Sequence, residues 1–168
     1  MNSVTVLVAY ASKRGSTREV AEAVAASLRD RGWAVDVRPA SEVDDTTPYG
    51  AVVLGAAIYM GRLHKDARKL LKDHRGALVA RTFAAFAMGP TTLSDEEVAG
   101  ARRQLDKSLD QAGVVPDATA IFGGVIDPTK FKFPLNRLPA ADARDWEAIH
   151  RWAGDVAAAI ERHAVAAA

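Results

Sequence analysis

Val4-Thr5-Val6-Leu7-Val8-Ala9-Tyr10, followed at once by Ala11-Ser12-Lys13-Arg14-Gly15-Ser16-Thr17-Arg18-Glu19, is the stretch on which the fold turns. Its first seven residues are β-branched and almost continuously apolar, the pattern of a central strand covered on both faces by helices. From Thr17 to Arg31, Val20, Ala21, Val24, Ala25 and Leu28 recur at three- and four-residue spacing, and Gly32 supplies a stop. A strand, a short polar loop and an amphipathic helix make one βα unit.

The pattern repeats outward from there. Strand-like segments fall at Ala34 to Arg38, Ala51 to Ala57, Thr82 to Met88 and Ala118 to Phe122, and helical periodicity at His64 to His74, Ser94 to Gln111 and Asp145 to His163. Pro39 to Pro48 reads as a loop with one turn. Such alternation predicts an α/β fold: one domain over residues 1–168, a doubly wound five-stranded parallel sheet with helices on both faces. Ligands of such sheets sit beyond the carboxyl ends of the strands near the switch in strand order, so the loops after strands one, three and four are the ones to read.

Composition narrows the chemistry. With 168 residues, 49% of them apolar, the chain has enough material for one substantial core. Its 22 basic residues nearly cancel its 21 acidic ones, so net charge points neither to nucleic acid nor to a membrane surface, and partner choice must come from local patches. Cysteine is absent, which excludes thiolate metal sites, iron–sulfur ligation and cysteine nucleophiles; redox chemistry requires a bound cofactor. His64, His74, His150 and His163 lack the spacing of a metal site. Met1-Asn2-Ser3 carries no basic leader and no apolar run reaches membrane-spanning length, so a cytoplasmic protein without an integral membrane segment is expected.

The first loop combines three hydroxyls (Ser12, Ser16, Thr17), two cations (Lys13, Arg14) and Gly15, and it opens directly into a helix. A phosphate monoester needs short donors and the positive end of a helix dipole, and a glycine lets backbone approach its oxygens. Ser16-Thr17-Arg18-Glu19 also fits a capping box, and the two readings are compatible. Neither Gly-x-Gly-x-x-Gly nor Gly-x-x-x-x-Gly-Lys-Ser/Thr nor Gly-x-Ser-x-Gly occurs, which leaves dinucleotide, nucleoside triphosphate and nucleophile-elbow readings without their motifs. A phospho-receiver lacks its aspartate, since Gly55-Ala56-Ala57 stands at the end of strand three.

Ser12-Lys13-Arg14-Gly15-Ser16-Thr17 resembles the Ser/Thr-x-x-Gly-x-Thr phosphate loop of the flavodoxin family. With Gly55-Ala56-Ala57-Ile58-Tyr59-Met60-Gly61-Arg62-Leu63-His64 and Asp145-Trp146-Glu147-Ala148-Ile149, the chain is most similar to the flavodoxin-domain branch that contains menaquinone-dependent protoporphyrinogen oxidase. The resemblance implies strand order 2-1-3-4-5 and FMN as cofactor, with a deazaflavin as the alternative. It also implies electron transfer or flavin-dependent conversion of a small substrate such as a quinone or porphyrinogen. A one-electron carrier stands as the non-enzymatic alternative.

On this resemblance the phosphate is held by Ser12, Lys13, Arg14, Gly15, Ser16 and Thr17, and the flavin ring lies against Ala57, Ile58, Tyr59, Met60, Gly61 and Arg62. Small residues at Gly55-Ala56-Ala57 admit the ring, and Ile58-Tyr59-Met60-Gly61 forms the crossing loop. Tyr59 either stacks on the ring or packs under the loop, and Arg62 either offsets charge on the reduced ring or is simply solvated. In the oxidase relatives the residue before the glycine is aromatic, whereas here it is Met60. The remaining contacts fall on Met88, Gly89, Pro90 and Thr91; no aromatic occurs in this third loop, which leaves one ring face open. Ser94 with Glu97 reads as a helix cap.

Two further features bear on partners, either a redox protein or a small molecule. Basic Arg62, Lys65, Arg68, Lys69, Lys72 and Arg75 form either a solvated face or a docking patch for an acidic redox partner. Gly123 to Ala141 is a Pro- and Gly-marked excursion. Its Phe131 and Phe133 either fold back onto the sheet edge or belong to a flap, with the Lys130 to Arg137 loop available for peripheral contact with a membrane or a hydrophobic partner.

Overall fold

The computed structural model describes residues 4–167. Met1-Asn2-Ser3, read above as carrying no leader, and Ala168 lie outside the described residues. The chain runs β1 (Thr5–Ala11), α1 (Ser16–Asp30), β2 (Ala34–Pro39), a 3-10 turn at Ala40–Glu42 and β3 (Ala51–Tyr59). It continues with β4 (Arg62–Leu63), α2 (Lys65–Asp73), α3 (Arg75–Val79), β5 (Thr82–Met88), α4 (Asp95–Ala112) and β6 (Ala118–Phe122). The excursion contains β7 (Val125–Ile126), 3-10 turns at Pro128–Lys130 and Leu135–Arg137, and β8 (Ala141–Asp142); α5 (Trp146–Ala167) closes the described chain.

The five long strands are parallel and lie in the order β2-β1-β3-β5-β6, the expected 2-1-3-4-5 when only they are counted. The addition is β4, which pairs antiparallel with the end of β3 through Ile58↔Leu63 and Tyr59↔Arg62. Ile58 and Tyr59, read from the sequence as loop, are therefore strand. Met60 (φ 50°) and Gly61 (φ 73°) make the intervening two-residue turn, where positive φ at both positions matches the twist of a hairpin. Met60 pays about 1–2 kcal/mol for a left-handed backbone and is fully exposed.

Alternation along each strand divides the core in two. Val6 and Val8 of β1, Ala51 and Val53 of β3, and Ala84 and Phe86 of β5 face α1 and α5. Leu7, Ala9, Val52, Leu54, Phe83 and Ala85 face the layer of α2, α3 and α4. Both faces are covered, which is why the central strands read as apolar runs rather than as alternating ones. Helix α5 presents Ile149, Trp152, Ala153, Val156, Ala157 and Ile160 at helical spacing to the first core, and it carries on beyond His163 because its Ala-rich end has high helix propensity.

Gly55 shows how tightly that core is filled. It pairs with Phe86 across β3 and β5, and a Cβ on it would lie 2.0 Å from Phe86 Cζ. Its smallness serves an aromatic of the core, not the approach of a ligand ring, which corrects the reading of Gly55-Ala56-Ala57. Ala56 likewise packs in the α2–α4 core at 1% exposure.

Candidate functional site

The carboxyl ends of β1, β3 and β5 come into register at Ala11↔Ala56 and Ala57↔Met88, so the three loops that follow share one edge of the sheet. In the first loop Gly15, not Ser16, is the residue before α1: its φ of 88° is left-handed and it contributes no side-chain cap. The capping box does not form, because the Glu19 carboxylate turns away to Arg144, leaving the first-turn N–H groups without a side-chain acceptor. Ser12 Oγ accepts from the N–H groups of Arg14 (3.3 Å) and Gly15 (3.2 Å), drawing the loop into a concave arc.

Thr17 sits in the first turn of α1, fully buried, and its Oγ1 has no hydrogen-bond partner among the described residues. A buried hydroxyl left unpaired costs about 1–3 kcal/mol. Space lies open over Gly15, where a Cβ would meet nothing within 4 Å. A phosphate monoester fits this set: it supplies acceptors for the orphaned hydroxyl and the first-turn amides, and its charge suits the helix terminus.

The second loop is joined to the first by Tyr59. The Lys13 N–H donates to its hydroxyl at 3.2 Å, and the Lys13 ammonium and Arg14 guanidinium each lie 5.6 Å from its ring centroid. Tyr59 also meets the His64 ring edge-on at 6.0 Å. Ala57 is buried, Ile58 and Tyr59 are half-buried, and Met60, Gly61 and Arg62 are exposed at the hairpin tip. In the third loop Met88 and Pro90 are buried, Gly89 packs on Ile58, and Thr91 is exposed. Ser94 caps α4 as expected, accepting from the Glu97 N–H at 3.3 Å. The Glu97 carboxylate accepts from the Thr92 N–H (2.8 Å) and from the hydroxyls of Thr91 and Thr92, and that backbone bond holds it below its ordinary pKa.

The excursion 123–142 crosses this edge as a strap. Gly124 N–H donates to Pro90 O at 2.7 Å, and Lys130 Nζ to Arg14 O at 2.9 Å. The Phe131 ring lies 4.2 Å from the Arg14 guanidinium carbon. Phe131 is thus half-buried on the first loop and Phe133 is exposed, so neither folds back onto the sheet edge. Arg144 pins the end of the strap through bonds to Glu19 of α1 (2.6 Å) and Asp142 of β8 (2.7 Å); these raise its pKa and lower that of Asp142. Between strap and loop is a cavity of ≈ 180 Å³ lined by Arg14, Ser16, Glu19, Asp127, Lys130 and Arg144. That is smaller than the roughly 300 Å³ at which small-molecule pockets begin.

Sequence reading missed Lys130, Phe131, Arg144 and Glu19 as supports of the first loop. The Gly123-Gly124 pair and the prolines marked the strap, but nothing local marked its partners.

The flavodoxin domain family matches residues 7–137, more than half of the chain. This chain belongs to the flavodoxin domain family. Among curated relatives, protoporphyrinogen IX dehydrogenase (quinone) of Escherichia coli K12 is 23% identical to this flavodoxin-domain protein over 130 residues, 76% of this chain and 72% of that one. A short-chain flavodoxin associated with a non-canonical PDU bacterial microcompartment superposes with a TM-score of 0.66 at 19% identity, covering 96% of this chain and 99% of its own. The rubredoxin oxygen:oxidoreductase of the anaerobe Desulfovibrio gigas aligns at TM-score 0.64 and 20% identity over 94% of this chain, which spans only 36% of that protein. At these identities the two structures establish shared fold alone. Among the described residues no helix is long and apolar enough to cross a membrane.

His64 carries a pH signature. It is 7% exposed, and its Nδ1 accepts from the Asp66 N–H at 3.1 Å as the cap of α2, a role open only to the neutral ring. Burial pushes its pKa below the ordinary value, with nearby Lys13, Lys65 and Arg68 acting the same way and Asp66 opposing. The folded state therefore holds the neutral form. Its contribution to stability is complete above about pH 6.5, where the unfolded chain's histidine titrates, and is lost as pH falls through the folded-state pKa. Urea midpoints are expected to drop between about pH 7 and pH 5, less steeply in His64→Asn, which keeps a cap acceptor without a titrating ring. Identical pH profiles for the two proteins would count against this assignment.

Proposed function

We propose that this flavodoxin-domain protein binds FMN along the edge formed by its three loops and works as a redox protein, exchanging electrons with a partner or converting a small substrate such as a quinone or porphyrinogen. The observation that carries the reading is Thr17 Oγ1, buried and unpaired in the first turn of a helix whose preceding residue offers no cap. Ser12, Ser16 and Thr17 hydroxyls, first-turn amides and the charges of Lys13 and Arg14 hold the phosphate, and Gly15 lets the backbone wrap around it. Ala57 to Arg62 flank the ring on one side and Met88 to Thr91 on the other, and the described chain acts as one domain.

Bound flavin supplies the capacity to accept and release electrons; the protein supplies binding, orientation and electrostatics. No acid or base side chain is assigned to the reaction. Tyr59, held to the first loop by Lys13 and Arg14, couples the phosphate side of the site to the ring side. The lack of an aromatic between Met88 and Ser94 supports an open ring face, suited to direct contact with a small substrate. The substrate class draws on the name of the Escherichia coli relative.

The test is the visible absorption spectrum of the purified protein, with the released ligand identified by mass. Two flavin bands and the mass of FMN are expected. A deazaflavin mass would reassign the ring and keep the phosphate loop. No binding of FMN or any analogue after reconstitution overturns the proposal.

A further inference from the structure

The strap has a second face that the flavin site leaves unused. Phe131 turns inward onto Arg14, whereas Phe133 is 70% exposed and Leu135 and Leu138 are 50% and 41% exposed. The other large exposed apolar residues, among them Val79, Val115 and Val165, are scattered along the chain, while these three fall within six residues. Clustering of this kind marks an interaction surface rather than ordinary surface composition.

Charge says what the surface meets. Lys132 and Arg137, both exposed, interleave with the apolar residues, the Lys130 ammonium turning inward to Arg14 O, and no Asp or Glu occurs from Pro128 to Ala141. The Arg137 guanidinium lies 5.2 Å from the Phe133 ring centroid, so cation and apolar group form one tip. An apolar tip within a basic collar matches the boundary of an anionic bilayer, where aromatic and aliphatic groups enter the acyl edge and long cations remain with the phosphates. A protein partner of stable type needs about 800 Å² per side from some 20–30 residues, far more than this tip presents.

We propose that residues 132–138 dock peripherally on an anionic lipid bilayer. Because Lys130 is bonded to Arg14, docking sets the edge carrying the three loops against the membrane. The inference stands apart from the flavin reading, since the protein without cofactor carries the same surface.

Co-sedimentation of the full chain with vesicles tests it. Vesicles of equal parts phosphatidylcholine and phosphatidylglycerol are expected to bind at least about tenfold more tightly than phosphatidylcholine alone, and high salt should abolish the difference. Lys132→Glu with Arg137→Glu should weaken binding roughly 25-fold or more, at about fivefold per basic residue lost. Phe133→Ser with Leu135→Ser should weaken it about tenfold while circular dichroism and FMN affinity stay unchanged, since both residues are exposed. Equal affinity for the two vesicle types, no binding to either, or wild-type binding by either double variant overturns the proposal. So does retention on polyglutamate beads in place of vesicles, which would assign the surface to an acidic protein.

Discussion

Thr17→Val is expected to move stability and ligand affinity in opposite directions. The side chain is fully buried with an unpaired hydroxyl, so replacing Oγ1 by a methyl of the same shape should stabilise the ligand-free protein by about 1 kcal/mol. If the proposed function holds, the same change removes a donor to the charged phosphate, a bond worth about 1.5–3 kcal/mol, and FMN affinity should fall roughly 10- to 100-fold. A hydroxyl serving only the core cannot produce that pair of results. Urea denaturation of the ligand-free form and quenching of flavin fluorescence on titration measure the two effects. Lower stability with unchanged FMN affinity would show that the hydroxyl serves the fold and not the ligand.

Gly55→Ala should destabilise the protein by about 3 kcal/mol, the upper part of the range for overpacking a filled core. The added Cβ falls 2.0 Å from Phe86 Cζ, and Phe86 has nowhere to go: it is fully buried, 5.5 Å from the Phe122 ring and 5.7 Å from that of Trp152. Thermal unfolding should occur roughly 6–12 °C lower. Phe86→Leu in the Gly55→Ala background should recover part of the loss by returning volume at the point of collision. An unchanged melting temperature in Gly55→Ala would mean that the aromatic cluster relaxes at little cost, contrary to this packing.

The sheet was legible because its strands are buried on both faces: Val4 to Tyr10 and Ala51 to Ala57 could be read as nearly uninterrupted apolar runs. The place of the first loop, between β1 and α1, was legible because hydroxyls, cations and glycine are concentrated within six residues there; that it holds a phosphate belongs to the proposed function. What escaped reading depends on residues far apart. Glu19 looked like the far end of a capping box, and only the folded chain brings Arg144, 125 positions away, to take its carboxylate. The β3–β4 hairpin was hidden because Met60 occupies a turn position where Asn, Asp or Gly would have announced a positive φ. Gly55 gave the opposite trouble, a real signal for close approach whose cause was Phe86 on the neighbouring strand. Phe131 and Phe133 were treated alike, as residues two apart in an extended segment would share a face, but a bend at Phe131 and a turn at Phe133-Pro134 break that repeat and separate the half of the strap that grips Arg14 from the half that meets solvent.

The grip of Lys130 and Phe131 on Arg14 bears on the energetics of ligand capture. A loop of hydroxyls and cations on the surface of a small domain would ordinarily lose several side-chain rotamers when it closed on a phosphate, at about 0.5–1.5 kcal/mol for each. Here Arg14 is stacked, its carbonyl is occupied and Lys13 N–H is anchored by contacts within the protein itself. On the proposed function that ordering is completed during folding, and the loop would meet the phosphate as a rigid receptor. Loosening the strap should therefore appear as a more negative entropy of binding even where every group that touches the phosphate is unchanged.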